Sequence, residues 1–429
     1  MKLPFTPNQK FLMSIIKLGY GKSSVAFDFD EAQFQILGKT HSETPLSDVE
    51  IGKKLENPID SKPLDRIFKP NETVLLVVPD ATRNIGCGQI VNLLVRRLIA
   101  NGTMPFEINI VFATGIHRPV TEDEKKEVLT PFVAQRIKTF NHNARDLMQF
   151  INLGITSNGT PIELNRKLTE YDHTIIIGGI SFHYFAGFTG GRKLLCPGLA
   201  SARTISATHK LAFDFEEKAR AAGVGAGQLK GNAVHEAFIE IVEKQPPTFA
   251  INTIVNARGE IVDLFCGNWK SSHEKACKTY AENNSLKITR KRKIVIASCG
   301  GSPHDLNIIQ AHKALDAASH ACKEGGLIVL LAKCNNGLGR KDFLNWFDSK
   351  NSRELADRLS QGYQVNGQTA WSLLQKSERF DIKIISDLSS EATSKMRLRK
   401  IENLQKITAE IDDSGGYILP FGAKFKIDC

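Results

Sequence analysis

The residues HTIIIGG, 173–179, run almost directly into the loop SFHYFAGFTGGRKLLCPG, 181–198. The first stretch is a continuous apolar run rich in β-branched residues, which is typical of a strand covered on both faces of a sheet. The second carries too many glycines for a helix interior, and it gathers a histidine, aromatic rings, an arginine and a lysine. A buried strand followed by such a loop predicts an α/β fold with a functional site at the strand end.

Three further apolar runs end in polar loops in the same way: TVLLVV (73–78), EINIVF (107–112) and KIVIAS (293–298). Amphipathic stretches lie between them. CGQIVNLLVRRLIANG (87–102) closes with an Asn-Gly helix stop, and TEDEKKEVLTPFVAQRI (121–137) opens with a threonine cap followed by acidic residues. This alternation of strand, loop and helix predicts α/β domains with largely parallel sheets.

Polar side chains follow each of these four runs. If the runs are neighbouring parallel strands, these side chains converge in the crevice beyond the carboxyl ends of the strands, where ligands of such sheets bind. The converging groups are Asp80 with Arg83, His117 with Arg118, His183 with Arg192 and Lys193, and the segment GGSPHDLNIIQAHK, 300–313.

The α/β pattern starts again at KIVIAS, after a helical connector at 271–284. We therefore expect two α/β domains with a boundary near Trp269. Residues 1–268 form the N-terminal domain and residues 269–410 the C-terminal domain. We expect residues 411–429 to add one last strand that returns to the N-terminal domain.

The composition is that of an ordinary globular protein, with 429 residues and 41% hydrophobic residues, enough for two domains. No apolar run approaches the roughly 20 residues that a membrane-spanning helix requires. The start, MKLPFTPNQKF, lacks the long apolar centre of a secretory signal. We therefore expect a cytoplasmic protein without a membrane partner.

Cysteine usage and charge exclude two further classes. The eight cysteines are scattered without a C-x-x-C pair, which predicts reduced and mostly buried thiols. The net charge of +10 could suggest nucleic acid, but the densest basic runs, KITRKRK (287–293) and KMRLRK (395–400), have no interleaved aromatic residues for base stacking. We expect solvated surfaces there, and anionic small molecules rather than nucleic acid as partners.

His117 and His183 each follow a buried strand, and each has an arginine in its neighbourhood. A single loop histidine is more often a surface or structural residue than a catalyst. Imidazole titrates near neutrality, as a general acid and base must, so a pair of them predicts proton transfer on two sides of one substrate.

Arg83 follows its strand by a few residues in PDATR. Its planar guanidinium could hold a carboxylate through two parallel hydrogen bonds. An ion pair between Asp80 and Arg83 that only ties the loop is an equally good interpretation. The two interpretations are compatible.

Lys193 follows Gly190, Gly191 and Arg192. A partly desolvated amine beside an arginine loses its proton more easily, as a covalent or nucleophilic role requires. The alternative is an anion-binding lysine on a glycine-rich loop, although the full phosphate-loop pattern is absent. His209 alone favours packing or surface, yet a neutral imidazole is a good nickel, zinc or copper ligand.

Five segments follow one another along the chain: PDATR (79–83), ATGIHRP (113–119), HYFAGFTGGRK (183–193), PGLASARTISATHK (197–210) and GGSPHDLNIIQAHKAL (300–315). Together they resemble the nickel-dependent lactate racemase family, whose members are nickel-pincer nucleotide racemases and epimerases of 2-hydroxy acids. Any one segment is a weak signal, whereas five in the same order and at compatible spacing are specific. The resemblance covers nearly the whole chain.

The resemblance implies a cofactor. In this family the lysine corresponding to Lys193 is joined through a thioamide to a nickel-pincer nucleotide, a pyridinium mononucleotide that holds nickel through one carbon and two sulfur atoms. The residue matching His209 supplies the fourth nickel ligand. Residues 190–192 would bind the cofactor, and Asp80 would lie close to cofactor or substrate hydroxyls. Cofactor-synthesis enzymes are then expected partners.

The resemblance also implies a reaction. Family members move a hydride from C2 of a 2-hydroxy acid to the cofactor while a histidine takes the hydroxyl proton, and return of the hydride to the other face inverts C2. His117 and His183 correspond to the acid–base pair, and Arg83, Lys313 and Gln310 to substrate-binding residues. Because Lys313 lies beyond the predicted boundary, we expect the site between the two domains. The substrate is lactate or a malate-like, aryl or sugar 2-hydroxy acid.

Three residues depart from the family pattern. Ile309 stands before Gln310 where an aromatic residue is usual, Phe182 stands before His183 where proline is common, and Asn84 replaces the proline of the first segment. None of these changes removes an acid–base or cofactor residue. The activity class is therefore expected to be retained, with a reshaped pocket.

Two other functions stay open. A pyridoxal phosphate enzyme would use Lys193 as its Schiff-base lysine and would not need His209. A non-catalytic nickel- or nucleotide-binding protein would bind metal yet leave chiral hydroxy acids unchanged, and a nucleic-acid binder would lose affinity steeply with salt. No oligomeric state follows from the sequence.

Overall fold

The structure is a computed structural model that describes residues 13–38, 43–410 and 415–429. The chain forms two compact units. The described residues of the larger unit are 43–284 and 360–365, and those of the smaller unit are 13–38, 285–359, 366–410 and 415–429. The segment MKLPFTPNQKF, considered above as a possible signal, lies outside the described residues.

Strands and helices are numbered along the chain. The strands are β1 (Met13–Tyr20), β2 (Ser23–Asp30), β3 (Phe34–Ile36), β4 (Val74–Pro79), β5 (Ile108–Ala113), β6 (Lys138–Asn141), β7 (Phe150–Ile155), β8 (Pro161–Asn165), β9 (His173–Gly179), β10 (Phe182–His183), β11 (Gly187–Phe188), β12 (Phe213–Asp214), β13 (Ala219–Arg220), β14 (Phe249–Val255), β15 (Ile261–Gly267), β16 (Ser285–Lys287), β17 (Arg292–Ser298), β18 (Cys322–Leu331), β19 (Asp381–Ile385), β20 (Arg399–Lys400), β21 (Gly416–Leu419) and β22 (Lys426–Asp428). The α-helices are α1 (Asp48–Glu56), α2 (Leu64–Ile67), α3 (Cys87–Ala100), α4 (Glu122–Val128), α5 (Pro131–Arg136), α6 (Ala202–Lys210), α7 (Ala233–Glu243), α8 (Trp269–Asn284), α9 (Ile308–Ala321), α10 (Ser352–Gln361), α11 (Val365–Arg379) and α12 (Ser390–Lys395). Short 3-10 helices lie at Pro105–Glu107, Leu147–Gln149, Arg166–Thr169, Gly191–Leu194, Phe343–Asp348 and Leu404–Glu410.

The larger unit is built on a sheet with the strand order β15-β14-β9-β4-β5-β6, in which all neighbours are parallel except β14 and β15. The side chains of β4 alternate between two cores: Leu76 and Val78 pack on one face of the sheet, and Leu75 and Val77 on the other. The strand is therefore covered on both faces, as its continuous apolar run predicts.

Helices of the larger unit begin and end where the sequence signals predict. In α3 the buried residues Ile90, Val91 and Leu94 recur at helical spacing, and the helix ends at Asn101. The acidic stretch forms two short helices, α4 and α5, because Pro131 starts a new helix rather than continuing the first. Thr121 caps α4 in a capping box with Glu124.

The smaller unit has its own sheet, with the strand order β20-β19-β18-β17-β21-β3 and parallel pairing throughout. The hairpin β1–β2 also belongs to this unit, and its residues Leu18 and Phe27 pack in the same core as Ile296 of β17. Two α/β units with largely parallel sheets confirm the predicted fold class.

The units divide the chain differently from the predicted boundary at Trp269. The helix that begins at Trp269 belongs to the larger unit, where Cys277 and Tyr280 pack with Ile180. Residues 13–38 belong to the smaller unit because β3 pairs with β21. The described residues of the predicted final segment 411–429 contain β21 and β22, and β21 joins the sheet of the smaller unit rather than returning to the N-terminal domain.

In the part of the chain that the structure describes, no helix combines the length and apolar character needed to cross a bilayer. All eight cysteines are free thiols, and only Cys429 is exposed. This agrees with the prediction of mostly buried, reduced cysteines.

Candidate functional site

Three of the four predicted strand ends lie side by side in the larger unit. β4 pairs with β9 on one side and with β5 on the other, all in parallel. Asp80 follows β4, His117 follows β5, and the loop containing His183 follows β9. The fourth run, β17, belongs to the sheet of the smaller unit, so the expectation of four neighbouring strands holds for three of them.

Asp80 is buried and holds His117. The Nδ1 atom of His117 lies 2.8 Å from Oδ2 of Asp80, while Oδ1 accepts hydrogen bonds from the backbone N–H and the hydroxyl of Thr82. Burial acts to raise the pKa of Asp80, but the hydrogen bond and charge of His117, the charge of Arg83 and the Thr82 hydroxyl lower it well below its usual value. The carboxylate therefore stays ionised and accepts a hydrogen bond from Nδ1 of His117.

The imidazole of His117 is half-exposed, with 44% of its side chain accessible. Because Nδ1 donates to Asp80, Nε2 of the neutral ring keeps its lone pair. Arg118 next to it pairs with Glu124, with 2.7 Å between Nη1 and Oε2. That pairing holds the Arg118 guanidinium at the surface, while the charge of Arg83 also lowers the pKa of Asp80.

His183 is held in a different way. It is 8% exposed, and its Nδ1 accepts a hydrogen bond from the backbone N–H of Ala186 at 3.2 Å. The ring packs edge-on against Phe185, with 4.4 Å between centroids. Since a backbone N–H can only donate, the proton of the neutral His183 ring lies on Nε2.

Gly190 and Gly191 shape the start of the segment that carries Lys193. Both have positive φ, 74° and 49°, a region that glycine adopts without strain. A Cβ at Gly190 would lie 2.7 Å from Ile180, and one at Gly191 would lie 2.5 Å from His273. The glycines therefore allow a close approach of backbone that no other residue permits here.

Lys193 lies in the 3-10 helix at Gly191–Leu194 and is partly buried. Its Nζ lies 5.5 Å from the ring centroid of Phe185 and 5.6 Å from that of Phe238. Two aromatic faces thus flank the amine, which places its charge in an apolar surrounding.

His209 lies near the end of α6 and is buried. Burial, and then the charge of Lys193, lower the pKa of His209 to about 3. Its ring packs against Phe185 at 5.0 Å and Phe238 at 6.0 Å. His209 is therefore a neutral imidazole beside Lys193, the form in which histidine binds metals.

Phe185 and Phe238 are the functional residues that the sequence analysis missed. Phe185 contacts His183, His209 and the Lys193 amine, so one ring gathers three of the predicted site residues. Phe185 stood in the motif without an assigned role. Phe238 lies on α7 at helical spacing among apolar residues, a pattern that indicates only a core position.

Backbone hydrogen bonds join the loop after β5 to the loop after β9. The N–H of Gly115 donates to the carbonyl of Gly198 at 2.9 Å, and the N–H of Gly198 donates to the carbonyl of Lys193 at 3.0 Å. Gly115 lies two residues before His117. The segments that carry His117 and Lys193 are therefore fixed relative to each other.

Arg192 has a buried position that the sequence analysis did not foresee. Its side chain is fully buried, and its guanidinium donates to the carbonyls of Phe188 at 3.0 Å and Ala186 at 2.7 Å. Burial lowers the pKa of Arg192 to about 10. In this geometry Arg192 ties the loop from within, and cofactor contact by its guanidinium stays a prediction.

Gln310 and Lys313 lie in the smaller unit, on the first turns of α9. Asn307 caps this helix by accepting from the N–H of Gln310 at 3.0 Å. The Lys313 Nζ donates to Oε1 of Gln310 at 2.8 Å. The cap and the i,i+3 spacing hold these two side chains together on one helix face, as the predicted substrate-binding pair requires.

Among the described residues, no three or more His, Cys, Asp or Glu side chains form a group that could hold a metal ion. Several single histidines of the larger unit are buried and neutral, and His209, the predicted metal ligand, is one of them.

Family models and curated relatives match most of the chain. The lactate racemase N-terminal domain model matches residues 20–222, and the lactate racemase C-terminal domain model matches residues 288–414. The curated lactate racemases of Thermoanaerobacterium thermosaccharolyticum and Lactiplantibacillus plantarum are each 31% identical to the chain, over 352 and 353 residues, with 81% of both chains covered.

Two solved structures are similar in fold. The lactate racemase apoprotein of T. thermosaccharolyticum has a TM-score of 0.86 and 27% identity, covering 97% of this chain and 100% of the other. A Thermotoga maritima protein has a TM-score of 0.69 and 20% identity, covering 90% of this chain and 100% of the other, which shows a shared fold.

Proposed function

Because the chain belongs to the lactate racemase family, we propose that it is a racemase that inverts C2 of a 2-hydroxy acid, with lactate as the first candidate substrate. The observation that carries the proposal is the grouping of Lys193, His183 and His209 around the ring of Phe185. An amine, an acid–base imidazole and a metal-binding imidazole on one apolar wall are the groups that this chemistry needs.

The residues present fit a nickel-pincer nucleotide. Lys193 offers the amine for its attachment, and the neutral His209 offers a nitrogen lone pair to nickel. Gly190 and Gly191 let the backbone pack closely against Ile180 and His273, which holds the segment that carries Lys193. When bound, this group supplies a hydride acceptor for C2 of the substrate.

The two histidines are prepared for opposite proton transfers. His117 donates from Nδ1 to Asp80, so its Nε2 can take the proton of the substrate hydroxyl. His183 accepts at Nδ1 from Ala186, so its Nε2 is the ring nitrogen that would exchange a proton with the substrate oxygen. One base and one acid are the minimum that inversion at C2 requires, and the reverse reaction exchanges their roles.

Substrate binding is assigned to the remaining predicted residues. Arg83 would hold the carboxylate through its guanidinium. Gln310 and Lys313 stay predicted substrate-binding residues of the smaller unit. The buried rings of Phe185 and Phe238 limit the access of water to the partly buried Lys193.

The test is to co-produce the protein with the enzymes that make the cofactor, which are its proposed partners in the cytoplasm. Single stereoisomers of lactate and of malate-like, aryl and sugar 2-hydroxy acids are then incubated and separated by chiral chromatography. Lys193→Ala should abolish both interconversion and the mass increase of the Lys193 peptide. Lys210→Ala, at an exposed position on α6, is the matched control and should behave as wild type.

Interconversion by Lys193→Ala would overturn the tethered cofactor. A lysine aldimine absorbance that is unaffected by His209→Ala would instead indicate a pyridoxal phosphate enzyme. Nickel retained by the wild-type protein without conversion of any 2-hydroxy acid would indicate a non-catalytic carrier.

A further inference from the structure

Arg192 has a third partner beyond the two carbonyls of its own loop. Its Nη1 lies 2.9 Å from Nε2 of His273, a buried residue on α8. The same Nε2 lies 3.0 Å from the carbonyl oxygen of Thr189. The imidazole of His273 therefore stands between a cationic donor and a backbone acceptor.

The hydrogen-bond roles follow from the chemistry of the guanidinium. Arginine has only N–H donors, so Nη1 of Arg192 cannot accept. Burial, and then the charge of Arg192, hold the pKa of His273 well below its usual value, so the ring is neutral. Nε2 of His273 therefore accepts from Arg192 and cannot also donate to the Thr189 carbonyl, and the ring proton lies on Nδ1. The Cys277 thiol lies 3.7 Å from Nδ1 and 3.4 Å from Nε2.

His273 matters because the charge of Arg192 has no carboxylate partner. Among the described residues, no carboxylate charge acts on the guanidinium, and its Nε–H has no hydrogen-bond partner. A fully buried charge is tolerated only when its remaining donors are well bonded. Apart from loop carbonyls, the acceptor that the structure provides is the His273 imidazole.

Helix α8 also holds the glycine segment directly. A Cβ at Gly191 would lie 2.5 Å from Cδ2 of His273, so the imidazole ring packs against that glycine. The N–H of Gly191 donates to Oδ1 of Asn252 at 3.1 Å, and Nδ2 of Asn252 donates to the hydroxyl of Ser272, also at 3.1 Å. Two neighbouring residues of one helix thus fix the backbone from which Lys193 projects.

We propose that His273 is a positioning residue that fixes, through Arg192 and Gly191, the loop presenting Lys193. The functional consequence rests on the proposed role of Lys193 as the attachment point of the cofactor. The positioning itself rests only on the contacts above. His273 acts as a neutral hydrogen-bond acceptor, so a side chain that accepts at the same place should replace it.

The first test uses the full chain without cofactor and follows hydrogen exchange of backbone amides in peptides covering 186–195. His273→Leu removes the acceptor and should speed exchange there by roughly tenfold or more, because a buried charged donor is left unbonded. His273→Gln places an amide oxygen near the position of Nε2 and should restore slow exchange. His235→Leu is the matched control. His235 is buried and its pKa is lowered by the charge of Arg192, but among the described residues no hydrogen bond joins the two side chains. Hydrogen exchange at 186–195 should therefore not change.

Unchanged exchange in His273→Leu overturns the proposal. If His273→Leu fails to fold, the comparison of His273→Gln with His273→Asn decides, because the asparagine carbonyl is one methylene shorter and cannot reach Nη1. Equal exchange in these two variants overturns the proposal, and slow exchange in the glutamine variant alone supports it.

The second test separates this inference from the proposed function. In protein co-produced with the cofactor-synthesis enzymes, the fraction of Lys193 peptide carrying the added mass should fall roughly tenfold in His273→Leu and recover in His273→Gln. If the wild type converts no 2-hydroxy acid while the exchange result holds, the proposed function fails and the positioning stands. If the wild type racemises and neither loading nor exchange differs between variants, the inference alone fails.

Discussion

The loop after β5 and the loop after β9 each present one histidine, yet they hold it by different forces. His117 is half-exposed and is oriented by an ionised carboxylate, Asp80. His183 is buried and is oriented by a backbone N–H and by packing on Phe185. Electrostatics fixes one imidazole and packing fixes the other. The outcome is a pair of complementary tautomers, one with Nε2 as acceptor and one with Nε2 as donor.

The sharpest test of the comparison substitutes each histidine by glutamine. His117→Gln and His183→Gln should each lower interconversion of 2-hydroxy acid stereoisomers on the order of 10²- to 10⁴-fold, because each removes an acid–base group. The melting temperature should fall only for His183→Gln, whose ring is buried. Chiral chromatography and thermal unfolding measure the two effects, with the mass of the Lys193 peptide as the control for cofactor loading. A wild-type rate in either variant contradicts the two-histidine mechanism.

Removing the ring of Phe185, on which the loop after β9 packs, should have the next largest effect, in this case on stability. Phe185→Ala opens a cavity in a fully packed core and should cost about 3–5 kcal/mol of unfolding free energy. Phe106→Ala, at a residue that is 76% exposed, should change stability by less than about 0.5 kcal/mol. Denaturant unfolding of both variants provides the measurement. Equal stability losses would mean that Phe185 is not the packing centre of the loop after β9.

The loop after β5 should respond instead to a substitution that removes a charge but keeps the size of the side chain. Asp80→Asn lets the side chain donate as well as accept, so the proton of His117 is no longer fixed on Nδ1, and kcat should fall by about tenfold or more. Glu124→Gln, which removes the negative charge paired with the exposed Arg118, should change stability by less than about 1 kcal/mol and leave kcat unchanged. Nitrogen NMR of the His117 ring reports the tautomer directly. An unchanged tautomer in Asp80→Asn would disprove orientation by charge.

The smallest effect is a difference in acid sensitivity. Burial, and then the charges of Arg192 and Lys270, lower the pKa of His235 from 6.5 to about 3. As the pH falls below 6.5, His235 therefore takes up a proton in the unfolded state but stays neutral in the folded state. This site should cost about 1 kcal/mol of stability between pH 6.5 and 5.5. His235→Leu should remove that loss, which is read from unfolding curves at the two pH values.

Asp80 should respond to pH in a more acidic range than His235. The pKa of Asp80 is lowered, so its contribution to stability is present above its unfolded value near 3.8 and is lost only at more acidic pH. Asp80→Asn should therefore not alter the loss between pH 6.5 and 5.5. If wild type and His235→Leu lose the same unfolding free energy between pH 6.5 and 5.5, His235 is not the source of this acid sensitivity.

Much of the larger unit could be predicted from apolar runs, because a strand buried on both faces leaves a continuous apolar segment in the sequence. The runs before Asp80, His117 and His183 became β4, β5 and β9, and parallel pairing brought their ends together. The lactate racemase family was likewise predicted from motif order and is confirmed by the comparisons.

The rest depends on contacts between residues distant in sequence. Arg192 is buried because its acceptors are carbonyls of its own loop and an imidazole on α8, and neither leaves a composition signal. The pairing of β3 with β21 joins segments separated by almost the whole chain, so a boundary drawn from local pattern could not include it. Phe185 and Phe238 resembled ordinary core residues for the same reason.

The pairing of β3 with β21 also orders events during synthesis of the chain. Every strand of the larger unit lies within one continuous stretch, residues 43–284, which can collapse while the ribosome is still at work. The smaller unit must keep β3, Phe34–Ile36, unpaired until β21, Gly416–Leu419, has emerged. The part of the protein bearing Lys193 and both strand-end histidines is thus free to mature first, and the waiting edge of β3 is the segment for which a chaperone would be most useful.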